Sequence, residues 1–186
     1  MTDRPSFPAD LVLTTERLTL RPLADADLDA IVVAASDPGT QQWLPLPRPY
    51  RREHAEGFVH QIAPAAQESG AGLIRAIEFE GDLAGVVDFK GTDWSDRVTE
   101  IGYWTAPAHR GRGVMSEAVT AMAHYALTEM NLERVVVRMA TGNTASARVA
   151  EKAGFTREGT ARNAGFTHDG RVDYFVYSLI PADLPR

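Results

Sequence analysis

Leu18 and Leu20 alternate with Thr19 and Arg21, so the chain opens, from about Leu11 to Leu20, as a strand that Pro22 ends. The period then lengthens. Asp25 is placed to cap a helix on which Leu28, Ile31, Val32 and Ala35 recur at helical spacing, until Asp37-Pro38-Gly39 breaks the run. Trp43 to Pro49 holds three prolines and is expected as a loop, and a second amphipathic helix carries Ala55, Phe58, Val59 and Ile62, ending near Pro64 or a turn later. Leu73 to Phe79 and Leu83 to Phe89 are apolar strand-like runs separated by the hairpin composition Glu80-Gly81-Asp82, so they are expected to pair antiparallel. Val98 to Thr105 extends the meander to Pro107. A helical stripe of Met115, Ala118, Val119, Met122, Ala126 and Met130 and a short strand from Arg134 to Met139 complete a strand, helix, strand unit, which returns right-handed and parallel. The last helix runs from Asn143 to Ala153 with Gly154 as its stop. Phe155 to Glu158 and Val172 to Ile180 read as two closing strands joined by a long polar connection.

Composition narrows what such a fold does. At 186 residues, with 44% apolar and 24% charged residues, the chain suits one globular domain spanning 1–186, of which 1–10, bearing Pro5 and Pro8, is expected to be flexible. No apolar run approaches the ~20 residues of a membrane span, and the first ten residues lack a signal-peptide core, so a cytoplasmic protein with no membrane partner is expected. Cysteine is absent, which removes disulfides, thiolate-bound zinc and a cysteine acyl intermediate. The formal charge of −6 argues against a nucleic acid and suits an amine or cationic substrate. None of the five histidines (His54, His60, His109, His124 and His168) has metal-ligand spacing, so no metal is expected.

The densest chemical signal is Pro107-Ala-His109-Arg110-Gly111-Arg112-Gly113-Val114-Met115-Ser116-Glu117, between a strand and an amphipathic helix. Glycines bring backbone N–H groups close to a ligand, the helix N-terminus adds partial positive charge, and two arginines supply charge-assisted bonds. A phosphate-bearing ligand is the expectation. The alternative is a tight turn with solvated arginines. A nucleotide P-loop needs Gly-Lys-Ser or Gly-Lys-Thr, which is missing, and the dinucleotide pattern loses its third glycine to Ser116 and its acidic ribose ligand.

Arg110-Gly-Arg-Gly113-Val-Met115 resembles the Gln/Arg-x-x-Gly-x-Gly/Ala pyrophosphate loop of the GNAT superfamily of N-acetyltransferases. Met115 in place of the final Gly or Ala is similar to the branch that acetylates ribosomal-protein N-termini, the RimJ/RimL-like enzymes. Three further segments resemble that branch: Glu100-Ile-Gly-Tyr-Trp104, Asn143 to Phe155, and Asp169 to Leu179, and Thr15 to Pro22 is similar to its first strand. The resemblance implies an α/β (α+β) fold: one GNAT-like domain with a mixed sheet of about six to seven strands, an antiparallel meander plus a splayed parallel pair, and about four helices. It implies acetyl-CoA as co-substrate, with Trp104, Thr105 and Ala106 along the pantetheine, Arg110, Gly111, Arg112, Gly113, Val114 and Met115 on the pyrophosphate, and Asn143 on the pantetheine. Asn143 is equally placed to cap the last helix.

Transfer of an acetyl group from a thioester needs a neutral amine, an oxyanion site and a proton for the thiolate. Without cysteine or a Gly-x-Ser-x-Gly elbow, direct attack by the amine is the simpler route. Glu100 is the candidate base, against the alternative of a surface strand carboxylate paired with an arginine. Ser146 is the candidate donor to the sulfur by resemblance to the branch's Asn-x-x-Ser pattern, with Asp173, Tyr174 and Tyr177 behind it. The acceptor is expected to be a protein or peptide N-terminus. The alternatives are a small amine (an aminoglycoside, polyamine or amino-acid analogue) and a non-catalytic acyl-CoA-binding module. A monomer or a homodimer fits equally. The acceptor pocket is expected from the first two helices, the Trp43 to Pro49 loop and the Arg162 to Arg171 connection.

Overall fold

In the computed structural model residues 5–184 are described. A short hairpin, β1 (Leu13–Thr14) and β2 (Leu18–Arg21), leads to α1 (Leu28–Ser36) and α2 (Pro38–Trp43). Next, α3 (Arg52–Gly57), a π-helical turn (Phe58–Ile62) and α4 (Ala63–Glu68) follow without a break. Then come β3 (Leu73–Phe79), β4 (Asp82–Asp93), β5 (Val98–Thr105), α5 (Val114–Thr128), β6 (Arg134–Ala140), α6 (Thr144–Lys152), β7 (Thr156–Thr167) and β8 (Gly170–Leu179). Among the described residues the strands form one sheet in the order β1-β2-β3-β4-β5-β6-β8-β7, antiparallel except for the β5/β6 pair. The mixed sheet with one parallel pair is as expected, and it has eight strands.

Strand alternation sorts the sheet into two faces. Leu73, Ile77, Val87, Phe89, Ile101, Val135 and Val137 point to one side, where α5 contributes Ala118, Val119, Met122 and Ala126 and the main core forms. Ala76 and Leu83 point to the other, where α1 and α3 add Leu28, Ile31 and Ala55 in a smaller cluster with Trp104 at its edge. The α5 side is called the inner face below and the α1/α3 side the outer face.

Several expectations shift in their boundaries. The opening strand is a hairpin because Thr15 makes a tight turn: its N–H donates to the Leu18 carbonyl at 3.0 Å and its hydroxyl accepts from the Leu18 N–H at 3.0 Å. Asp27, not Asp25, closes the entry to α1; its carboxylate accepts from the Ala24 N–H at 2.8 Å and takes two bonds from the Arg21 guanidinium at 2.9 Å each. The Asp37-Pro38-Gly39 break is also a start, because Asp37 accepts from the Thr40 N–H at 2.9 Å and Pro38 occupies the first turn of α2, whose end includes Trp43. The expected polar connection after Glu158 is largely strand: β7 runs to Thr167 with two register shifts against β8, and Asn163 at φ 54° is anchored by its N–H on the Asp173 carboxylate at 2.7 Å. Residues 1–4 lie outside those described. Residues 5–10, expected as a flexible lead-in, run along the sheet: Phe7 is fully buried and stacks on Phe89 at 4.8 Å, while the buried Arg75 guanidinium donates to the carbonyls of Pro8, Ala9 and Leu11.

Asp27 is 3% exposed and is the meeting point of β2 and α1. Replacing it with alanine removes two bonds from the Arg21 guanidinium, which keeps only Glu78 and the Pro22 carbonyl, and strands the Ala24 N–H. Asp27→Ala is expected to cost about 3 kcal/mol, the scale of breaking a buried ion pair, read as a lower urea midpoint with an unchanged m value.

Candidate active site

The parallel pair is short. Only Val98, Thr99 and Glu100 register against Arg134, Val135 and Val136; beyond them β5 stays on β4 and β6 stays on β8, so the two strands part. A pocket of about 570 Å³ opens there, bounded by β5 (Tyr103, Trp104, Thr105), the loop into α5, the first turn of α6, and α2 with Trp43. Trp43 lies over the start of α6, its ring 3.2 Å from where a side chain on Gly142 would begin.

At one end the pocket meets the start of α5. Gly111 and Gly113 adopt φ of 75° and 79°, and Gly113 sits at the helix N-cap without a capping side chain. The first N–H groups of this 15-residue helix therefore have no intrahelical partner and, with the helix dipole, face an anion-binding end. Arg110 lines the pocket, where its guanidinium donates to Asp37 at 2.6 Å and to the Thr40 hydroxyl at 2.9 Å; those bonds oppose the burial that raises the Asp37 carboxyl, and hold it below the usual carboxylate range. Arg112 turns away: it binds Glu80 at 3.0 Å and stacks over Phe79 at 4.5 Å. A brace from the first strands fixes the helix start. Glu117 accepts from the Thr15 hydroxyl at 2.5 Å and from Arg17 Nε at 2.7 Å, and Arg17 also donates to the Arg112 carbonyl at 3.2 Å. Burial pushes the Glu117 carboxyl up, but these bonds outweigh it and hold the group below its usual range.

At the other end the Tyr103 and Ser146 hydroxyls lie 2.9 Å apart inside the pocket, and Tyr103 also reaches the Ser146 carbonyl at 3.1 Å. Burial pushes the Tyr103 phenol up to about 12, opposed by the Ser146 bond, so it stays protonated at neutral pH. Asn143 caps α6 by accepting from the Ser146 N–H at 3.1 Å, and so fixes the serine.

Of the residues expected to hold the co-substrate, Trp104, Thr105, Arg110, Gly111, Gly113, Val114, Met115 and Asn143 line the pocket together with Ser146. Ala106 lies behind the wall with its N–H on the Ala84 carbonyl at 2.8 Å, and Arg112 is on the far side of the loop. Glu100 projects from the outer face below the parting, where its carboxylate binds Lys90 at 3.1 Å and Arg138 at 2.7 Å. Asp173 holds the β7 bulge and Tyr177 donates to Glu151 on α6 at 3.0 Å, so both are occupied away from the pocket. Tyr103, Trp43 and Asp88 are site features not singled out from sequence. Tyr103 was legible as an inward position two residues after Ile101. Asp88 was not, because a lone aspartate in an apolar strand carries no spacing. It stands across from Gly102 on the outer face, with one oxygen 2.8 Å from where a side chain at 102 would begin. Burial pushes its carboxyl up to about 6; Lys90 opposes the shift and Glu100 adds to it. Among the described residues no group of three metal-ligating side chains occurs, and no helix is long and apolar enough to cross a membrane.

Comparison with known proteins bears on this pocket. The family model of the acetyltransferase (GNAT) domain matches residues 17–156. An uncharacterized N-acetyltransferase of Bacillus subtilis, YoaA, is 30% identical over 91% of this chain and 96% of its own length. The ribosomal-protein-serine acetyltransferase of Escherichia coli is 34% identical over 54% of this chain, a segment spanning 56% of that enzyme. A solved structure of RimL, a ribosomal L7/L12 alpha-N-protein acetyltransferase in complex with coenzyme A, superposes with a TM-score of 0.82 at 26% identity, over 91% of this chain and 98% of that one.

Strain at the start of α5 is transmitted to whatever fills the adjoining end of the pocket. Gly113→Ala at φ 79° is expected to weaken coenzyme A binding about tenfold by calorimetry, from an αL cost of about 1–2 kcal/mol. Gly81→Ala, at φ 87° in the β3/β4 turn, is the control and is expected to lower stability without changing that affinity.

Proposed function

Because the chain belongs to the GNAT acetyltransferase family, we propose that this N-acetyltransferase carries acetyl from acetyl-CoA to the free α-amine of a protein or peptide N-terminus. The observation that supports it most is the pocket between the parted strands, with an anion-binding helix start at one end and two hydrogen-bonded hydroxyls at the other. A long ligand with a diphosphate and a reactive thioester matches those ends. The pyrophosphate lies on the N–H groups of Gly111 to Met115 with Arg110 beside it, the pantetheine follows Trp104 and Thr105 past Asn143, and the thioester comes to rest by Ser146.

The chemistry follows from that placement. An α-amine, with a reference pKa of about 7.7–8.0, is partly neutral at physiological pH, whereas a lysine amine near 10.4 is almost wholly protonated. The amine attacks the thioester carbon directly, the carbon–sulfur bond breaks, and Ser146, held by Asn143 and bonded to the neutral Tyr103, delivers a proton to the sulfur. The amine proton leaves on the outer face, where Glu100, the carboxylate singled out by sequence, is already held by Lys90 and Arg138. The RimL structure and the Escherichia coli relative, both named for ribosomal proteins, support an N-terminal acceptor over a small amine.

Thiol release from acetyl-CoA is expected with short peptides bearing free Ala, Ser or Thr N-termini, and not with the same peptides blocked or with polyamines and aminoglycosides. Ser146→Ala is expected to lower kcat by about 10²-fold, the scale of one positioned proton donor, with the KM for acetyl-CoA little changed. Release with the small amines alone overturns the N-terminal reading. Saturable acetyl-CoA binding with no transfer to either panel overturns catalysis in favour of a binding module.

A further inference from the structure

A second pocket, of about 310 Å³, lies on the outer face between the sheet and the π turn. Phe58, Ile62 and Ala66 roof it from the helical side, and Ile74, Asp88 and Lys90 lie on the strands beneath. The helical side brings no charge to it. Of its two ionisable groups, Lys90 is held by Glu100 at 3.1 Å, and Glu100 is held from its other side by Arg138. No hydrogen bond or ion pair among the described residues reaches the half-buried Asp88 carboxylate. With Asp88 ionised the charges of the four groups balance, but both cations are bonded to Glu100 and none is bonded to Asp88.

Gly102 makes this carboxylate available to the reaction. It stands opposite Asp88 on β5, the strand that borders the parting, and a side chain there would begin 2.8 Å and 3.1 Å from the two Asp88 oxygens. Any residue but glycine would fill the space between the carboxylate and the thioester strand. Adjacent strands lie about 4.8 Å apart, so Asp88 stands one strand spacing from β5, whose far edge borders the parting.

Resting on the acetyltransferase reading above, we propose that Asp88 is the docking group and proton acceptor for the acceptor amine, and that the pocket beneath the π turn takes the acceptor's first side chain, apolar and uncharged. The amine arrives as an ammonium, which supplies the cation that Asp88 lacks. One N–H proton passes to the carboxylate. The freed lone pair forms the bond to the thioester carbon, the carbon–sulfur bond breaks, the second amine proton passes to water as the amide forms, Ser146 gives its proton to the sulfur and recovers one from water, and Asp88 releases its own to water. Glu100 is then a positioning residue. By holding Lys90 to itself it keeps the lysine off Asp88, which would otherwise be neutralised before the substrate arrives.

The experiment is the pH profile of kcat/KM, from pH 5 to 9, for a peptide beginning with Ala, with acetyl-CoA saturating. Because ionised Asp88 must meet a protonated amine, the wild type is expected to rise through about 6, where burial places the Asp88 carboxyl, and to fall near 8 as the ammonium is lost. Asp88→Asn is expected to lose at least tenfold at pH 7 and to reverse the dependence, rising through about 8 because only the neutral amine remains useful. Glu100→Gln is expected to keep a bell whose rising limb moves to lower pH, since removing Glu100 takes away a charge that raises the Asp88 carboxyl and frees a lysine that lowers it. Gly102→Ala, which presses a methyl against the Asp88 carboxylate without removing its charge, is expected to lose transfer while acetyl-CoA affinity by calorimetry stays within twofold. A peptide beginning with Asp is expected to be at least tenfold poorer than its Ala counterpart. An Asp88→Asn profile that keeps the wild-type bell, or a Gly102→Ala variant as active as wild type, overturns the role of Asp88 and leaves the acetyltransferase reading standing. A wild type that transfers to no peptide overturns both the role of Asp88 and the N-terminal acceptor.

Discussion

Everything at this site depends on the backbone pairing that β5 and β6 give up. Parallel strands normally continue to exchange hydrogen bonds along their length, and each unpaired N–H or C=O withdrawn from water costs free energy. Here the pairing stops after three residues, because each strand is committed to its other neighbour: β5 follows β4 through Gly85 and Thr105, and β6 follows β8 through Ala140 and Tyr174. The divergence leaves a slot with strand edges on both sides. An extended ligand carrying its own amides can enter such a slot as a surrogate strand.

The two faces of the sheet then divide the work. On the inner face α5 fills the core with Ala118, Val119 and Met122 and begins, without a capping side chain, beside the slot, so one helix provides both packing and, in the proposed reading, the anion site. The brace of Thr15 and Arg17 on Glu117 ties that helix start to the first strands, which explains why a turn about a hundred residues earlier in sequence matters to the loop. On the outer face the packing is thinner and the strands carry charge: Asp88, Lys90, Glu100 and Arg138 lie side by side where a wholly buried sheet would carry aliphatic residues.

The sequence made much of this legible because periodicity reports burial. The alternation in β2, the apolar runs of β3 and β4, the stripe of α5 and the glycine loop before it were visible as patterns, and they locate the sheet and the loop that borders the slot. What stayed hidden were features set by single hydrogen bonds or by pairing with a distant strand. Thr15 looks like an ordinary strand residue until its hydroxyl is seen closing a turn, and Asp37-Pro38-Gly39 reads as a stop although the same aspartate caps the next helix. The bulged part of β7 has loop composition because its register shifts relieve it of strict alternation. Asp88 depends on what lies across from it, and the absence of a side chain at Gly102 has no signature of its own in a one-dimensional pattern.

The partition has an evolutionary corollary. In the proposed reading the pieces that hold the donor are braced to one another on the inner side, whereas α2 and the π turn contribute no residue to the main core. Selection can therefore remodel what is acetylated by exchanging outer segments, without re-solving how acetyl is carried. One sheet edge opened by three residues of pairing thus serves as a chassis, on which a new substrate range is an exchange of fittings.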